Sequence, residues 1–301
     1  MQKENVKKRK RSLGERIFDS VLALLMAGLC VVFLYPFINI IAISLSSNVM
    51  IGTGTVTWFP REFNPSGYRL VFGKAPVYLA YWNTIKYCAL FAGVNVLSTA
   101  MIAYALTQQE FVLRKPVTVM LLLTMFFSGG TVPTYLVVSN LKMLNTPWAL
   151  VFPTAISAYN IFVYRAFFKG IAGELREAAR IDGAGEFRIC FRIFFPLSRP
   201  LFATFGLFAV VGMWNNYMEP LLYIRDSTKQ PIQMVLRSIM FQAGGGVTFG
   251  TDYYMMADMG ALNPKNVQYA AIIAASAPIM ILYPFVQKYF VQGMQVGAVK
   301  G

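Results

Sequence analysis

Six apolar segments constrain this chain most, because each reaches the length of about 20 residues with which a helix crosses the hydrocarbon core of a bilayer. They comprise residues 20–45, 81–106, 117–138, 148–168, 201–224 and 267–285. Hydrophobic residues make up 56% of the chain and charged residues only 13%, against about 25% charged in an average soluble domain. The first segment is too long for the apolar region of a signal peptide and should remain as a spanning anchor. The expected fold is all-α, a single membrane domain of six transmembrane helices over residues 20–301.

The positions of the basic residues predict the orientation of these helices. Cytoplasmic loops normally carry the excess of Lys and Arg, and with the N-terminus inside, 18 of the 27 Lys and Arg residues fall in inner segments. Both termini are therefore expected in the cytoplasm, as a basic N-terminal segment (1–19) and a C-terminal tail (287–301). The basic cluster at residues 7–11 lies shortly before a span, where such clusters typically bind anionic lipid, so we expect no nucleic-acid partner.

The two longer outer segments differ in character. Residues 46–80 are rich in Gly and Pro and should be largely irregular. In the outer loop 225–266, the apolar spacing after Pro231 predicts a short amphipathic helix over residues 231–242, which should end at Gly244–Gly245–Gly246. A loop of this length usually serves a function.

The inner segment 169–199 is charged and helix-forming. Its sequence predicts a helix from Glu174, a left-handed cap at Gly183, and a second helix from Glu186 that Pro196 stops. An apolar ridge with a charged rim suits a groove on a partner, and the alternative is a solvated connecting loop. The ridge comprises Leu175, Ala178, Ala179 and Ile189, and the rim Glu174, Glu177, Arg180, Asp182, Glu186 and Arg188.

The spacing within this inner segment resembles a known signature. Glu177-Ala178-Ala179, Gly183, Ile193 and Pro196 stand at the intervals of the Glu-Ala-Ala-x3-Gly-x9-Ile-x-Leu-Pro loop of ABC importer permeases, with Phe195 in place of the usual Leu. Segments 145–148, 214–217 and 293–301 further resemble the second permease of maltose-type sugar importers. Segment 127–135 is similar to a subgroup associated with complex oligosaccharides and polysaccharide fragments.

The resemblance implies the six-helix type I ABC-importer permease fold in a bacterial cytoplasmic membrane, and the import of carbohydrate delivered by an extracellular or periplasmic solute-binding protein. It also implies a sister permease that completes a heterodimer and two ATP-binding subunits, and it places the outer loop against the binding protein. The ATPase-docking residues that it implies are Glu174, Glu177, Ala178, Ala179, Asp182, Gly183, Ile193 and Pro196, and those of a C-terminal tail contact are Val299, Lys300 and Gly301.

Chemistry within the chain itself is not expected. The glycine triplet lacks the lysine of a phosphate-binding loop, so we expect no cofactor here, with ATP and Mg bound by the partner subunits. There is no histidine, and Cys30, Cys88 and Cys190 do not have the spacing of a zinc site. A membrane enzyme is therefore disfavoured, as are a bound metal and a disulfide.

Polar residues inside the predicted spans are candidates for a substrate path, because burying them in a bilayer is costly. Glycines that interrupt the third span can border such a path, since irregular backbone at depth is tolerated beside a cavity. The alternative is that these side chains bond or pack between helices. The candidates are Gly129, Gly130, Trp214, Asn215, Asn216, Tyr217 and Glu219.

An ion-coupled secondary transporter is the alternative function. It would need sites for a coupling ion, but Lys86, Arg165 and Glu219 are almost the only ionisable residues in the predicted spans. We also find no inverted repeat of broken helices, which many such transporters contain.

Overall fold

The computed structural model describes residues 13–73, 75–171, 173–243 and 263–298, and every regular element in these ranges is helical. These elements include a π-helical turn, Cys190–Phe194, and a 3-10 turn, Ser227–Lys229. The helices are α1 (Leu13–Ser44), α2 (Asn48–Gly52), α3 (Ser66–Phe72), α4 (Ala75–Thr107), α5 (Arg114–Phe126), α6 (Thr131–Asn140), α7 (Trp148–Val151), α8 (Ala158–Lys169), α9 (Gly173–Ile181), α10 (Glu186–Ile189), α11 (Phe195–Leu197), α12 (Arg199–Asn215), α13 (Met218–Tyr223), α14 (Ile232–Ala243) and α15 (Pro264–Ala298).

Among the described residues, three helices are long and apolar enough to cross a bilayer. They are α1, the part of α4 from Val77 to Thr107, and the part of α15 from Pro264 to Pro284, and they coincide with the first, second and sixth predicted spans. Segment Glu186–Leu197 and α12 together add a fourth candidate, with a bend of 81° between them. The count of six spans stays a prediction.

The third and fourth predicted spans are each divided into two shorter helices. α5 ends at Phe126 and α6 begins at Thr131, because Gly130 leaves the helical region with φ 81°. This break confirms the predicted interruption. The break between α7 and α8 was not predicted, although Pro153 signals it by removing a backbone donor, and Ser157 caps α8 by accepting a hydrogen bond from the Asn160 N–H at 3.5 Å.

The described residues divide into two compact units. In the first, which contains residues 13–71 and 263–273, buried Asn266 donates from its amide to the carbonyls of Ile43, Ser44 and Ser46 at 3.4, 3.0 and 3.1 Å. Gly67 lies against Asn266, where a Cβ would come within 2.1 Å of the Oδ1 atom. A side chain at position 67 would therefore displace the residue that joins α15 to the end of α1. Apart from α2 and α3, this part of segment 46–80 is irregular, as predicted.

The second unit contains residues 72–241 and 274–298, and α4, α8 and α12 form its core. Ala100 on α4 is fully buried, and such small residues allow membrane helices to approach closely. Tyr164 on α8 is surrounded by Phe168, Phe202 and Phe205, at ring-centroid distances of 6.2, 5.7 and 5.0 Å. Aromatic packing thus joins α8 to α12.

Polar side chains on α4 satisfy backbone groups of the neighbouring irregular segments. The amide of Asn95, which is 4% exposed, donates to the carbonyl of Ala155 in the break between α7 and α8 at 2.7 Å. The hydroxyl of buried Thr84 accepts from the N–H of Ile232, at the start of α14, at 2.8 Å. α4 therefore supports two segments whose own backbone bonding is incomplete.

Replacing Asn95 with alanine should destabilise the protein by about 1 to 3 kcal/mol, because the Ala155 carbonyl would stay buried without its donor. The measurement is SDS-induced unfolding of the purified protein in mild detergent. Ser98→Ala on the same helix is the control, because the Ser98 hydroxyl donates to backbone carbonyls of its own helix at 2.7 and 3.3 Å. Equal losses for the two variants would contradict the role of Asn95.

Candidate functional site

The inner segment forms the predicted helix and left-handed cap. At the end of α9, the Gly183 N–H donates to the Arg180 carbonyl at 3.0 Å and the Ala184 N–H to the Ala179 carbonyl at 2.9 Å. Gly183 has φ 78°, which residues with a side chain adopt only with strain. The cap fixes the direction in which the chain leaves α9.

The second half of the segment departs from the prediction at Pro196. After the π-helical turn, in which the Phe195 N–H donates to the Cys190 carbonyl, the helix continues through Pro196 to Leu197. The prediction that Pro196 stops the helix is wrong. The π-helical turn shifts the hydrogen-bond partners by one residue and widens the helix just before a residue without an N–H. The chain bends instead at Ser198, which has φ −101° and ψ 12°.

Four charged side chains attach α9 to the end of α4, and we name Glu110, Arg176, Arg180 and Glu186 the ion-pair cluster. Arg176 lies 3.0 Å from Glu110 and 2.9 Å from Glu186, and Arg180 lies 2.7 Å from Glu110. The Tyr104 hydroxyl of α4 also donates to Glu186 at 2.5 Å. Sequence reasoning missed Glu110 and Tyr104, because the residues are distant in sequence and only the fold brings them together.

The ion-pair cluster also changes the ionisation of Glu110. Hydrogen bonds from Arg180 and then from Arg176 lower the pKa of the Glu110 carboxyl from 4.5 to about 2. Since this pKa is lower in the folded protein, the pairing contributes stability above about pH 4.5, which is lost as the pH falls toward 2. At neutral pH the cluster is fully charged.

The outward face of α9 carries most of the predicted docking residues. Glu174, Glu177 and Ala178 are exposed, and so are Asp182 and Gly183 in the following turn. Within the described ranges, none of these three carboxylates takes part in an ion pair. This face therefore presents unpaired negative charge.

The apolar part of the predicted ridge needs correction. Ile189 is fully buried in the core beside α8, and Ala179 and Ile193 are half-buried against the same core. These side chains pack against the protein, whereas Leu175, Ala178 and Pro196 are exposed as expected. Between residues 173 and 199, the most exposed large apolar side chains are instead Ile181 (87%) and Phe187 (73%), which sequence reasoning missed.

A groove of about 470 Å³ lies between the ion-pair cluster and the end of α4. Its apolar lining includes Met101, Phe111, Phe187 and Phe191. In the described part of the chain, no group of three or more His, Cys, Asp or Glu side chains could hold a metal ion.

The candidate path residues of the fifth predicted span lie where α12 ends and α13 begins. Asn216 donates from its amide to the Glu219 carboxylate at 2.8 Å, and the Glu219 N–H donates back to the Asn216 side chain at 3.3 Å. Exposed Asn215 donates to the Val211 carbonyl at 2.9 Å. The prediction that Trp214 lines the path needs correction. Its side chain is 5% exposed and donates from the indole N–H to the Ala275 carbonyl at 3.0 Å, so it packs between helices.

Tyr217 is the aromatic candidate that remains accessible, with 44% of its surface exposed. The guanidinium of Arg237 on α14 lies over its ring, 5.8 Å from the ring centroid. At this distance a cation is attracted to the face of an aromatic ring. Arg237 was not among the residues predicted from the sequence.

The interrupted third span approaches the other end of α13. Gly129 and Gly130 are exposed in the break, and Tyr135, on the helix that follows, stacks on Tyr223 at 6.1 Å between ring centroids. Arg225 donates to the Tyr135 hydroxyl at 2.9 Å. The structure thus links the glycine break, through α6, to the segment that follows α13.

Some predicted features lie outside the described residues. They are the glycine triplet Gly244, Gly245 and Gly246, and the tail residues Val299, Lys300 and Gly301. The helix predicted over residues 231–242 is confirmed as α14, with Ile232, Val235, Leu236 and Ile239 buried.

Comparisons with known proteins agree with this geometry. Residues 84–296 match the family described as binding-protein-dependent transport system inner membrane component. The chain belongs to this family.

Two curated relatives match this permease over nearly its whole length. It is 35% identical to the polygalacturonan/rhamnogalacturonan transport system permease protein YtcP of Bacillus subtilis (strain 168), over 96% of this chain and 100% of the relative. It is 36% identical to protein LplC of the same strain, over 95% of this chain and 96% of the relative. The permease family thus extends across both compact units.

A solved structure is similar to the permease in both sequence and fold. It is a chain from the crystal structure of a bacterial ABC transporter involved in the import of the acidic polysaccharide alginate, with a TM-score of 0.85 and 28% identity. The similarity covers 94% of the permease and 100% of that chain. This similarity supports the type I permease fold, and the described residues are all-helical.

Replacing Gly183 with valine should reduce ATP-driven uptake by the reconstituted transporter far more than Gly185→Val. A Cβ at the left-handed Gly183 costs about 1 to 2 kcal/mol, and β-branching adds to it. Gly185 has φ −71° and ψ 160°, which valine adopts readily, and a Cβ there would meet no atom within 4 Å. Equal uptake by the two variants would contradict the role of the cap.

Replacing Glu110 with glutamine should raise backbone amide exchange in α9 several-fold at pH 7, because Arg176 and Arg180 lose the carboxylate they share. Hydrogen exchange with mass spectrometry measures this effect. Glu174→Gln is the control, since Glu174 lies on α9 outside the ion-pair cluster.

In the wild type, protection corrected for intrinsic exchange should persist at pH 5 and fall as the pH approaches 2. Unchanged exchange in Glu110→Gln would contradict the attachment.

Proposed function

We propose that the permease is one half of a heterodimeric membrane channel in the bacterial cytoplasmic membrane, powered by two ATP-binding subunits, that imports carbohydrate delivered by a solute-binding protein. The exposed, unpaired carboxylate face of α9, held to α4 by the ion-pair cluster, carries the proposal. Relatives named for the transport of polygalacturonan, rhamnogalacturonan and alginate support oligosaccharides or polysaccharide fragments as the cargo.

Docking depends on charge in this proposal. Glu177, with Glu174 and Asp182 beside it, meets a basic groove of the ATPase subunit, while exposed Ile181 and Phe187 fill apolar positions of the same groove. A mixed ridge of this kind is typical of a helix that binds in a groove. Val299, Lys300 and Gly301 provide a second contact, as a C-terminal tail that reaches the ATPase pair.

The energy source lies in the partners. The sequence has no phosphate-binding loop, and ATP with Mg binds to the ATPase subunits. Their closure moves α9, and the ion-pair cluster passes this movement to α4 through Tyr104 and to α12 through α10 and the bend at Ser198. Rigid movement of packed helices then switches the channel between inward-open and outward-open states.

The remaining topology follows the sequence. With six spans, counted with the two interrupted segments, both termini lie on the same side, and the excess of Lys and Arg makes this side the cytoplasm. The loop 225–266 then lies outside, where it meets the binding protein. In the channel, the substrate passes Gly129, Gly130, Asn215, Asn216, Tyr217 and Glu219, which lie at or beside interruptions of helices.

Reconstitution tests the function. Proteoliposomes that contain the permease, its sister subunit and the ATPase pair should take up labelled oligosaccharide only with ATP and the loaded binding protein. The purified permease alone should hydrolyse no ATP. Hydrolysis or photoaffinity labelling by ATP on this chain alone would contradict the proposal, as would uptake driven by an ion gradient.

Glu177→Ala should leave the permease inserted and paired with its sister subunit but weaken its hold on the ATPase. Truncating one partner of a buried interfacial charge pair costs about 2 to 5 kcal/mol. Co-purification of the ATPase with tagged permease measures the loss, and Glu62→Ala, which changes an exposed carboxylate of an outer segment, serves as the control. Normal co-purification and uptake in Glu177→Ala would overturn the docking assignment.

A further inference from the structure

The pair formed by Tyr217 and Arg237 stands apart from the other basic residues near the channel. Arg225 already donates to Tyr135, and Lys229 lies 3.2 Å from the Asn145 carbonyl and 3.7 Å from Asp226. Within the part of the chain that the structure describes, Arg237 has no carboxylate partner. Its side chain is exposed and lies over the ring of Tyr217, which is exposed as well. Its charge is therefore accessible to a ligand.

The fold holds both members of this pair on supported elements. α14 begins where the Ile232 N–H donates to Thr84 on α4 at 2.8 Å, and its buried face fixes the outward direction of Arg237. The turn that precedes α14 is held as well, because the Tyr87 hydroxyl donates to the Lys229 carbonyl at 2.7 Å. On the other side, the reciprocal bonds between Asn216 and Glu219 fix the backbone around Tyr217. Preorganised side chains lose less freedom on binding a ligand.

The chemistry of the pair matches a sugar acid. A tyrosine ring offers an apolar face on which the C–H groups of a sugar ring can pack. A guanidinium binds a carboxylate through two parallel hydrogen bonds. The carboxylate nearest to Tyr217 in the sequence is Glu219, and it is already bonded to the Asn216 amide. Arg237 is therefore the group of this pair that can attract an anion. A neutral sugar has no carboxylate for such a cation to bind.

We propose that Tyr217 and Arg237 form a subsite for a carboxylated sugar unit, so that the permease itself favours acidic oligosaccharides over neutral ones. This inference rests on the proposed function and deepens it. Two relatives fit it, because the solved neighbour belongs to an importer of an acidic polysaccharide and YtcP is named for polygalacturonan, a polymer of a sugar acid.

The test measures binding to the full transporter in lipid nanodiscs, without the binding protein, so that selection by that protein does not contribute. The probes are labelled trigalacturonate and its carboxyl-reduced neutral counterpart, compared by equilibrium dialysis at fixed ionic strength. Wild type should bind the acid at least about tenfold more tightly, as a charged hydrogen bond warrants. Arg237→Gln should lose this preference and leave the affinity for the neutral sugar unchanged, whereas Arg237→Lys should retain part of it.

Two further variants distinguish the role of this pair from a general effect of positive charge and from a loss of folding. Arg225→Gln removes one positive charge from the segment just before α14 and should keep the acid preference of the wild type. Tyr217→Ala should weaken the binding of both sugars. Equal binding of the two sugars by wild type would overturn the subsite. So would an Arg237→Gln variant that keeps the preference or loses both affinities equally.

The same variants, reconstituted in proteoliposomes, distinguish failure of the subsite from failure of the proposed function. With ATP and the binding protein, uptake of any oligosaccharide, whether acidic or neutral, supports carbohydrate import. Import without acid preference in the nanodisc assay overturns the subsite alone. Absence of ATP-dependent uptake for every saccharide tested overturns the proposed function and the subsite together.

Discussion

The cost of an unsatisfied backbone group in an apolar environment governs how this permease can be built. Helices satisfy their own N–H and C=O groups, but each break exposes several of them. The chain meets this constraint with side chains from intact helices. Asn95 donates to Ala155, and Thr84 accepts from Ile232. The continuous helix α4 contributes both side chains, and the interrupted segments depend on it for their shape.

The same helix connects the interrupted segments to the inner segment 169–199. Its middle supports the breaks, and near its end Tyr104 bonds to Glu186 of the ion-pair cluster. A force on α9 would therefore act on the helix that holds the interrupted segments. In the proposed function, this arrangement would let a short, charged loop act on a channel that it does not line, without a flexible relay between the two.

Local signals in the sequence were sufficient for part of this description. Length and apolarity identified α1, α4 and α15, and glycine chemistry identified the cap at Gly183 and the break at Gly130. The prediction at Pro196 was wrong because a π-helical turn two residues earlier changed the bonding pattern, and such turns have no simple sequence signal. Burial of Ile189 and Trp214, and the grouping of Glu110 with Arg176, depend on contacts between distant segments, which periodicity cannot supply.

The π-helical turn at Cys190–Phe194 also has a consequence for how this loop tolerates insertions and deletions. Such a turn holds one residue more than an α-helical turn would. Because the extra residue is accommodated within the turn, its removal would leave an ordinary α-helical turn, and the residues on either side would face nearly the same directions. Adding or removing a residue in a regular α-helix would instead rotate everything beyond it by about 100° around the helix axis. The π-helical turn is therefore the place between Gly183 and Pro196 where the loss of one residue disturbs Pro196 and the start of α12 least.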